Sequence, residues 1–376
     1  MASKILRKMI TSTAIMALAS VTAAADEFVL DGQTWSADQG ENSAAKIESY
    51  LGRDALFLSR NVAVLEGAEY GDMVIEYDYA STHPSGFIGI NFRADSETAN
   101  LEQFYTRPHQ SGQPDATQYM VLTNGAATWQ LHAGPNEAVA TELPPQTWIK
   151  VRIVAIGDQA DIFVGDMSTP LIHVPDLRSV SASGKVALYA SDRPWMQETG
   201  AYFSNITVRD ATASDQIIGK PAETDPLPDG LLKSFDVSAP FAESEISEAY
   251  QLPVLDVMDT PWTSLAVEND GVANIARTTP IKDGKNTALL RFTVSADEAS
   301  TRMLSFGYSD RVRLFVNGDL VYSGNAMWRA RDHRFLGTIA LVDQIALHLE
   351  PGETEIVAAV SESFGGWGFK AALSEE

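Results

Sequence analysis

Residues 73–79 read MVIEYDY and residues 87–93 read FIGINFR. In both runs apolar and polar side chains alternate with a period of two, which is the pattern of a half-buried strand. Ile75 and Tyr77 share one face, with Glu76 and Asp78 on the other. Ile88, Ile90 and Phe92 lie opposite Gly89, Asn91 and Arg93. Similar short runs recur at Trp148–Ile156, Lys185–Ala190, Thr287–Val294, Arg311–Val316 and Thr354–Val360, each bounded by Gly, Pro, Asn or Asp. Asn317-Gly318 separates Val312–Val316 from Leu320–Tyr322. Both residues tolerate positive φ, so this predicts a two-residue hairpin. Helical periodicity is scarce beyond residue 26. The fold class expected is all-β, with two β-sandwich (jelly-roll) domains.

The stretch 211–233, ATASDQIIGKPAETDPLPDGLLK, carries three prolines and little periodicity. It reads as a Pro-rich linker between a sandwich at 26–210 and a second at 234–376. Residues 1–25 have another character. Lys4, Arg7 and Lys8 precede an apolar run from Met9 to Val21, and Ala23-Ala24-Ala25 follows. Basic start, apolar middle and small-residue end in that order predict a cleaved signal peptide. No later apolar run approaches the roughly 20 residues of a spanning helix. The expected location is therefore periplasmic or secreted, without a membrane span.

Composition narrows the function. The 376 residues carry 27 Lys+Arg against 50 Asp+Glu, a net charge of -23. Such a chain repels phosphate backbones, which argues against a nucleic-acid partner. There is no cysteine. Disulfides, thiol nucleophiles, thiolate zinc sites and a lipidated cysteine are excluded. The six histidines lack metal-ligand spacing, and no phosphate-cradling loop or nucleophile elbow is present.

The polar strand faces point to a ligand. Tyr105, Arg107 and His109 share a face in the run 103–109. Thr128, Gln130 and His132 share another, opposite Trp129 and Leu131, which read as core positions, as does Trp148. If these strands and those bearing Glu76, Asp78, Asn91 and Arg93 are neighbours in one sheet, they form a patch of acids, arginines, histidines and amides. Fixed donors and acceptors beside aromatic rings suit a carbohydrate. The binding candidates are Asn91, Arg93, Tyr105, Arg107, His109, Gln118, Gln130 and His132, with Trp195 in the loop SDRPWMQETG either stacking on a sugar or capping the core. The catalytic candidates are Glu76, Asp78 and His109. The two acids lie roughly 7 Å apart along one strand, and the alternative is that they pair with Arg93 and Arg107 across strands.

The run Phe104 to Tyr119, Asn124-Gly125 and Trp129-Gln130-Leu131, with Asp31-Gly32, Trp35, Val74-Ile75-Glu76 and Gly89 to Arg93, resembles exported bacterial proteins of the concanavalin A-like lectin/glucanase superfamily. In that superfamily it is similar to the 3-keto-disaccharide hydrolase domain. Family-16-type glucanases carry three acids at Glu-x-Asp-x-x-Glu spacing, and Glu76-Tyr77-Asp78-Tyr79-Ala80-Ser81 lacks the third. The second half resembles the galactose-binding-like jelly roll through Trp262, Asn269 to Asn274, Leu304 to Asp310, Val316-Asn317-Gly318, Leu349 to Gly352 and Phe364 to Gly368. That resemblance implies an ancillary sugar-binding module. No cofactor is expected, and both superfamilies are compatible with a structural calcium ion.

The loop Asn325 to Arg334 is basic and aromatic in an acidic chain. Trp328, Arg329, Arg331 and Arg334 there, with Trp367 between glycines, are second-domain candidates for a sugar or anion. A domain contact is the alternative reading of the arginines, and a plug at the sandwich end is that of Trp367. Three functions stay open. The first is an exported carbohydrate-binding protein. The second is a glycoside or 3-keto-glycoside hydrolase whose first sandwich is catalytic. The third is a non-catalytic envelope scaffold with a protein partner.

Overall fold

The computed structural model describes residues 25–40, 42–97, 99–192 and 200–374. They form two compact units. Of the described residues, one holds those of 25–122 together with 134–224, and the other holds 123–133 together with 225–374. Both are built from antiparallel sheets, so the all-β, two-sandwich expectation holds.

In the first unit, one sheet orders Asp26–Leu30, Gln33–Ala37, Asn61–Leu65, Lys185–Ser191, Phe87–Ala94, Leu101–Thr106 and Thr117–Thr123 as neighbours. With its short flanking strands it has nine strands. The second sheet has seven, ordered Ile172–Val174, Gln159–Val164, Ile149–Ile156, Met73–Ser81, Ala201–Asp210, Arg53–Ser59 and Ala44–Tyr50. The alternating apolar positions of both sheets meet between them. Trp35, Tyr77, Tyr79, Phe92, Phe104, Tyr119 and Phe203 are fully buried. Burying each such ring contributes about 1.5–3 kcal/mol before the entropy of ordering it.

The second unit pairs a six-stranded sheet with a four-stranded one. Phe235, Phe306, Tyr308, Trp367 and Phe369 fill the space between them. The hairpin joining Arg311–Val316 to Asp319–Asn325 turns at Asn317 and Gly318, whose φ values are 49° and 88°. The outer face of the six-stranded sheet is also covered. Phe241, Ile246, Leu255 and Val257, from the irregular segment before Thr263–Ala266, pack on Leu289, Phe315, Val357 and Ala359.

Two placements differ from the sequence reading. The first part of 211–233 is not a free spacer. Ala211 and Ile217 pack against Val74, Val154 and Phe163 on the outside of the seven-stranded sheet. The Ile218 and Gly219 amides donate to Asp161 Oδ2 at 2.6 and 2.9 Å, and Asp161 Oδ1 lies 2.7 Å from His173 Nδ1. Residues 128–132 are not a strand. They form turns in which the Leu131 and His132 amides donate to Thr128 O. All of them except Trp129 are buried, so the alternation of the sequence does not correspond to two faces.

Candidate functional site

The outer face of the nine-stranded sheet carries a polar array in which Asn91, Tyr105 and Gln118 are buried. Ile88, Ile90, Phe92, Phe104, Tyr119 and Leu188 point into the core, so Gly89, Asn91, Gln103, Tyr105, Gln118 and Tyr189 point away from it. Strand register places Tyr189, Gly89, Tyr105 and Gln118 in one row, and Ala187, Asn91, Gln103 and Met120 in the next. Tyr105 donates its hydroxyl hydrogen to Gln118 Oε1 at 2.5 Å. Gln103 Nε2 donates to Asn91 Oδ1 at 2.7 Å. Each pair spans neighbouring strands and fixes which end of each amide donates and which accepts. Gly89 makes a notch in the first row. A Cβ there would lie 2.1 Å from Phe104 O and 2.8 Å from Tyr105 Cα, so no larger residue fits without moving backbone.

One corner of this face stays partly open. Phe87 is half-buried, and Tyr105, Arg107 and His109 gather round it, with the Tyr105 and His109 rings 6.0 and 5.2 Å away and the Arg107 guanidinium 5.7 Å from its centroid. Arg107 and His109 follow the strand Leu101–Thr106, and His109 sits in the short turn Pro108–Gln110. His109 Nδ1 lies 3.0 Å from Gly86 O, so the neutral ring carries its hydrogen on Nδ1 and leaves Nε2 as the acceptor. Arg107 pairs with Asp115. Behind the face, Glu102 is buried and accepts from Tyr119 Oη at 2.7 Å and from the Ser179 amide at 2.9 Å. Burial raises its carboxyl above the ordinary range, against those bonds and the charges of Arg93 and Arg178.

The other candidates fall elsewhere. Glu76 and Asp78 lie on Met73–Ser81, in the seven-stranded sheet, so they do not share the sheet of Asn91 and Tyr105. Nor do they pair with Arg93 and Arg107. Glu76 meets Lys150 and Arg152, and Asp78 meets Arg53 at 2.5 Å and Asn205 Nδ2 at 2.7 Å. Alternation assigns a face but not a sheet. Arg93 is buried, and its Nε donates to Gly71 O at 3.1 Å, away from the row. Trp195 lies outside the described residues.

Gln130 and His132 belong to the second unit and are internal there. Gln130 is fully buried. Its Nε2 donates to Leu336 O at 2.6 Å and its backbone amide to Gly365 O at 3.0 Å. A Cβ on Gly365 would meet Gln130 Oε1 at 1.7 Å, so that glycine leaves the room the side chain occupies. His132 lies between two carboxylates, with Nδ1 2.6 Å from Asp270 Oδ2 and Nε2 3.0 Å from Glu268 Oε2. Burial alone would raise Glu268. Its bond to His132 and the charges of His132 and Arg277 outweigh that and lower it to about 2.

Trp367 is a core residue, with its indole N–H donating to Val360 O at 2.9 Å. Arg331 is held by Asp343 and by Tyr308 Oη at 3.0 Å. Arg334 pairs with Asp332. Trp328 is 40% exposed, and the Arg329 guanidinium lies 4.3 Å from its ring centroid. That stack faces solvent, as does the His333 ring of the same loop.

The sequence reading missed one aromatic group. Tyr50 and Tyr202 stack at 3.7 Å, Trp148 meets Tyr50 edge-on at 6.1 Å, and Arg53 lies 4.8 Å from the Trp148 ring. All are half-buried or more exposed, and they lie on the outside of the seven-stranded sheet. Trp148 is therefore not a core residue. No local signal marked the group, since Tyr202 sits between Ala201 and Phe203, and nothing in the sequence brings three distant runs together.

No family model matches the sequence, and no curated protein matches it. Solved structures do. The chain is similar to the carbohydrate-binding module CBM66 from Bacillus subtilis, at 17% identity and a TM-score of 0.33, over 45% of this chain and 96% of that one. It is similar to a Bacillus licheniformis β-glucanase at 12% identity and 0.34, over 51% and 100%. A Bacillus subtilis protein of unknown function with a galectin-like fold matches at 10% and 0.34, over 47% and 89%. At such scores the fold rests on the strand topology above, and the likenesses carry nothing about ligand or reaction. Among the described residues no helix is long and apolar enough to cross a membrane.

Proposed function

We propose that the protein is an exported carbohydrate-binding protein whose first sandwich holds a glycan on the outer face of the nine-stranded sheet, entered at the Phe87, Arg107 and His109 corner. The observation that carries this reading is the pair of cross-strand couples, Tyr105 with Gln118 and Asn91 with Gln103. Sugar hydroxyls need donors and acceptors whose direction is fixed before binding, beside a ring for their C–H faces. The strands Phe87–Ala94, Leu101–Thr106, Thr117–Thr123 and Lys185–Ser191 point no carboxylate outward on this face. A two-carboxylate hydrolysis needs an acid and a base or nucleophile across the bond. That favours binding over catalysis here. The test is a glycan array on the mature protein, followed by mass spectrometry of each hit for released product. Retained glycan without product supports the reading, whereas turnover or silence on the array overturns it.

A further inference from the structure

On the second sandwich a cavity of about 280 Å³ opens on the outside of the six-stranded sheet, at the lower end of the range of small-molecule sites. Its floor is two rows of directly paired residues. Arg311 stands opposite Asn325, and Arg313 opposite Ser323. Glu243 and Ser247 form the wall. The rigid part is the Arg311–Glu243 couple, a fork of two bonds at 2.5 and 2.7 Å. It neutralises one guanidinium and fixes the wall to the floor.

The remaining lining groups are unspent. Arg313 gives one N–H to Ala249 O, but its Nε is buried with no partner among the described residues. It has no carboxylate partner there either. The Ser247 and Ser323 hydroxyls and the Asn325 side-chain N–H groups also have no protein partner among the described residues. With Arg311 and Glu243 cancelling, the cavity keeps one positive charge, on Arg313.

We infer that this cavity is a binding site for a single acidic sugar, with its carboxylate on Arg313 and its hydroxyls on Ser247, Ser323 and Asn325. The room suits one sugar ring and not a chain. This site is independent of the sheet face in the first sandwich.

The experiment is calorimetric titration of the full chain with sodium glucuronate and, separately, with glucose. Glucuronate should bind at least about tenfold more tightly than glucose, since a charge-assisted bond is worth about 1.5–3 kcal/mol. Arg313→Met should remove that preference. Ser323→Leu, at an exposed strand position, should fill the cavity and abolish binding, and thermal unfolding of both variants shows that they are folded. Gln118→Ala should leave glucuronate binding unchanged, which separates this site from the one proposed on the first sandwich. No heat with glucuronate at millimolar concentration, equal binding of glucose, or binding indifferent to Ser323→Leu each overturns the inference.

Discussion

Asp310 and Glu362 share one hydroxyl. Ser309 Oγ lies 3.5 Å from Asp310 Oδ1 and 3.4 Å from Glu362 Oε2, and both carboxyl groups are buried. Burial raises Asp310 to about 6, against the Ser363 and Phe364 amides that donate to it and the Arg311 charge. Burial and then the Asp310 charge raise Glu362 well above the carboxylate range. The two cannot both ionise cheaply.

The pair therefore sets a pH dependence. A carboxyl whose pKa is higher in the folded state binds more protons folded than unfolded, so its contribution is largest below the unfolded value and is lost as pH rises through the folded one. Stability is predicted to fall between about pH 4 and 6 through Asp310, and to go on falling above that through Glu362. Glu362→Gln should flatten that slope and raise the melting temperature at pH 8 by about 2–4 °C, for about 1 kcal/mol. Melting curves from pH 4 to 8 check it, and an unchanged slope would count against the pair.

The His132 site has the opposite sign. Glu268 is depressed to about 2, so its stabilisation is present above the unfolded value near 4.5 and is lost as pH falls towards 2. His132→Ala should cost about 3–5 kcal/mol, because it leaves Glu268 buried without that partner. Urea unfolding at pH 7 measures the loss. A cost below about 1 kcal/mol would show that Arg277 alone satisfies the carboxylate.

Gly89→Ala tests the notch on the nine-stranded sheet. The added methyl meets Phe104 O and the Tyr105 backbone, so strand Phe87–Ala94 must move. A loss of about 1–3 kcal/mol is expected. Thermal unfolding gives the number, and a neutral result would mean that the strands part freely at this point.

Tyr105→Phe and Gln118→Ala address the proposed glycan face. Both break the Tyr105–Gln118 couple, and each should weaken glycan binding about tenfold while costing only about 1 kcal/mol of stability. Trp148→Ala, on the other sheet, should leave affinity intact. Array binding lost only in Trp148→Ala would move the site to the Tyr50–Tyr202 aromatic group.

Much of the fold was legible. Met73–Ser81, Phe87–Ala94, Ile149–Ile156 and Thr287–Ala296 follow from period-two patterning, and the Asn317-Gly318 hairpin from its need for positive φ. The site was legible only in part. Tyr105 was placed by its strand face and Gln118 came with the run Phe104 to Tyr119, and the structure sets the two opposite each other on adjacent strands. Glu76 and Asp78 were grouped with them wrongly, because pairing of Met73–Ser81 with Ile149–Ile156 and Ala201–Asp210 is non-local and leaves no local signature. The Arg313 cavity was not legible at all. Its lining comes from Arg311–Val316, Asp319–Asn325 and a segment about 60 residues earlier, and unspent hydrogen bonds have no sequence pattern.

The chain visits the second unit before it arrives there for good. Residues 123–133 supply Gln130, Leu131 and His132, around which Gly365, Gly366 and Gly368 leave room. A gene cut at the proline-rich stretch would encode 225–376 with holes where those side chains sit and with Glu268 and Asp270 facing an empty socket. The second sandwich is thus not a cassette that recombination could lift out and attach to another protein. Its inheritance is tied to a loop encoded about a hundred codons upstream, and the two halves of the gene must change together.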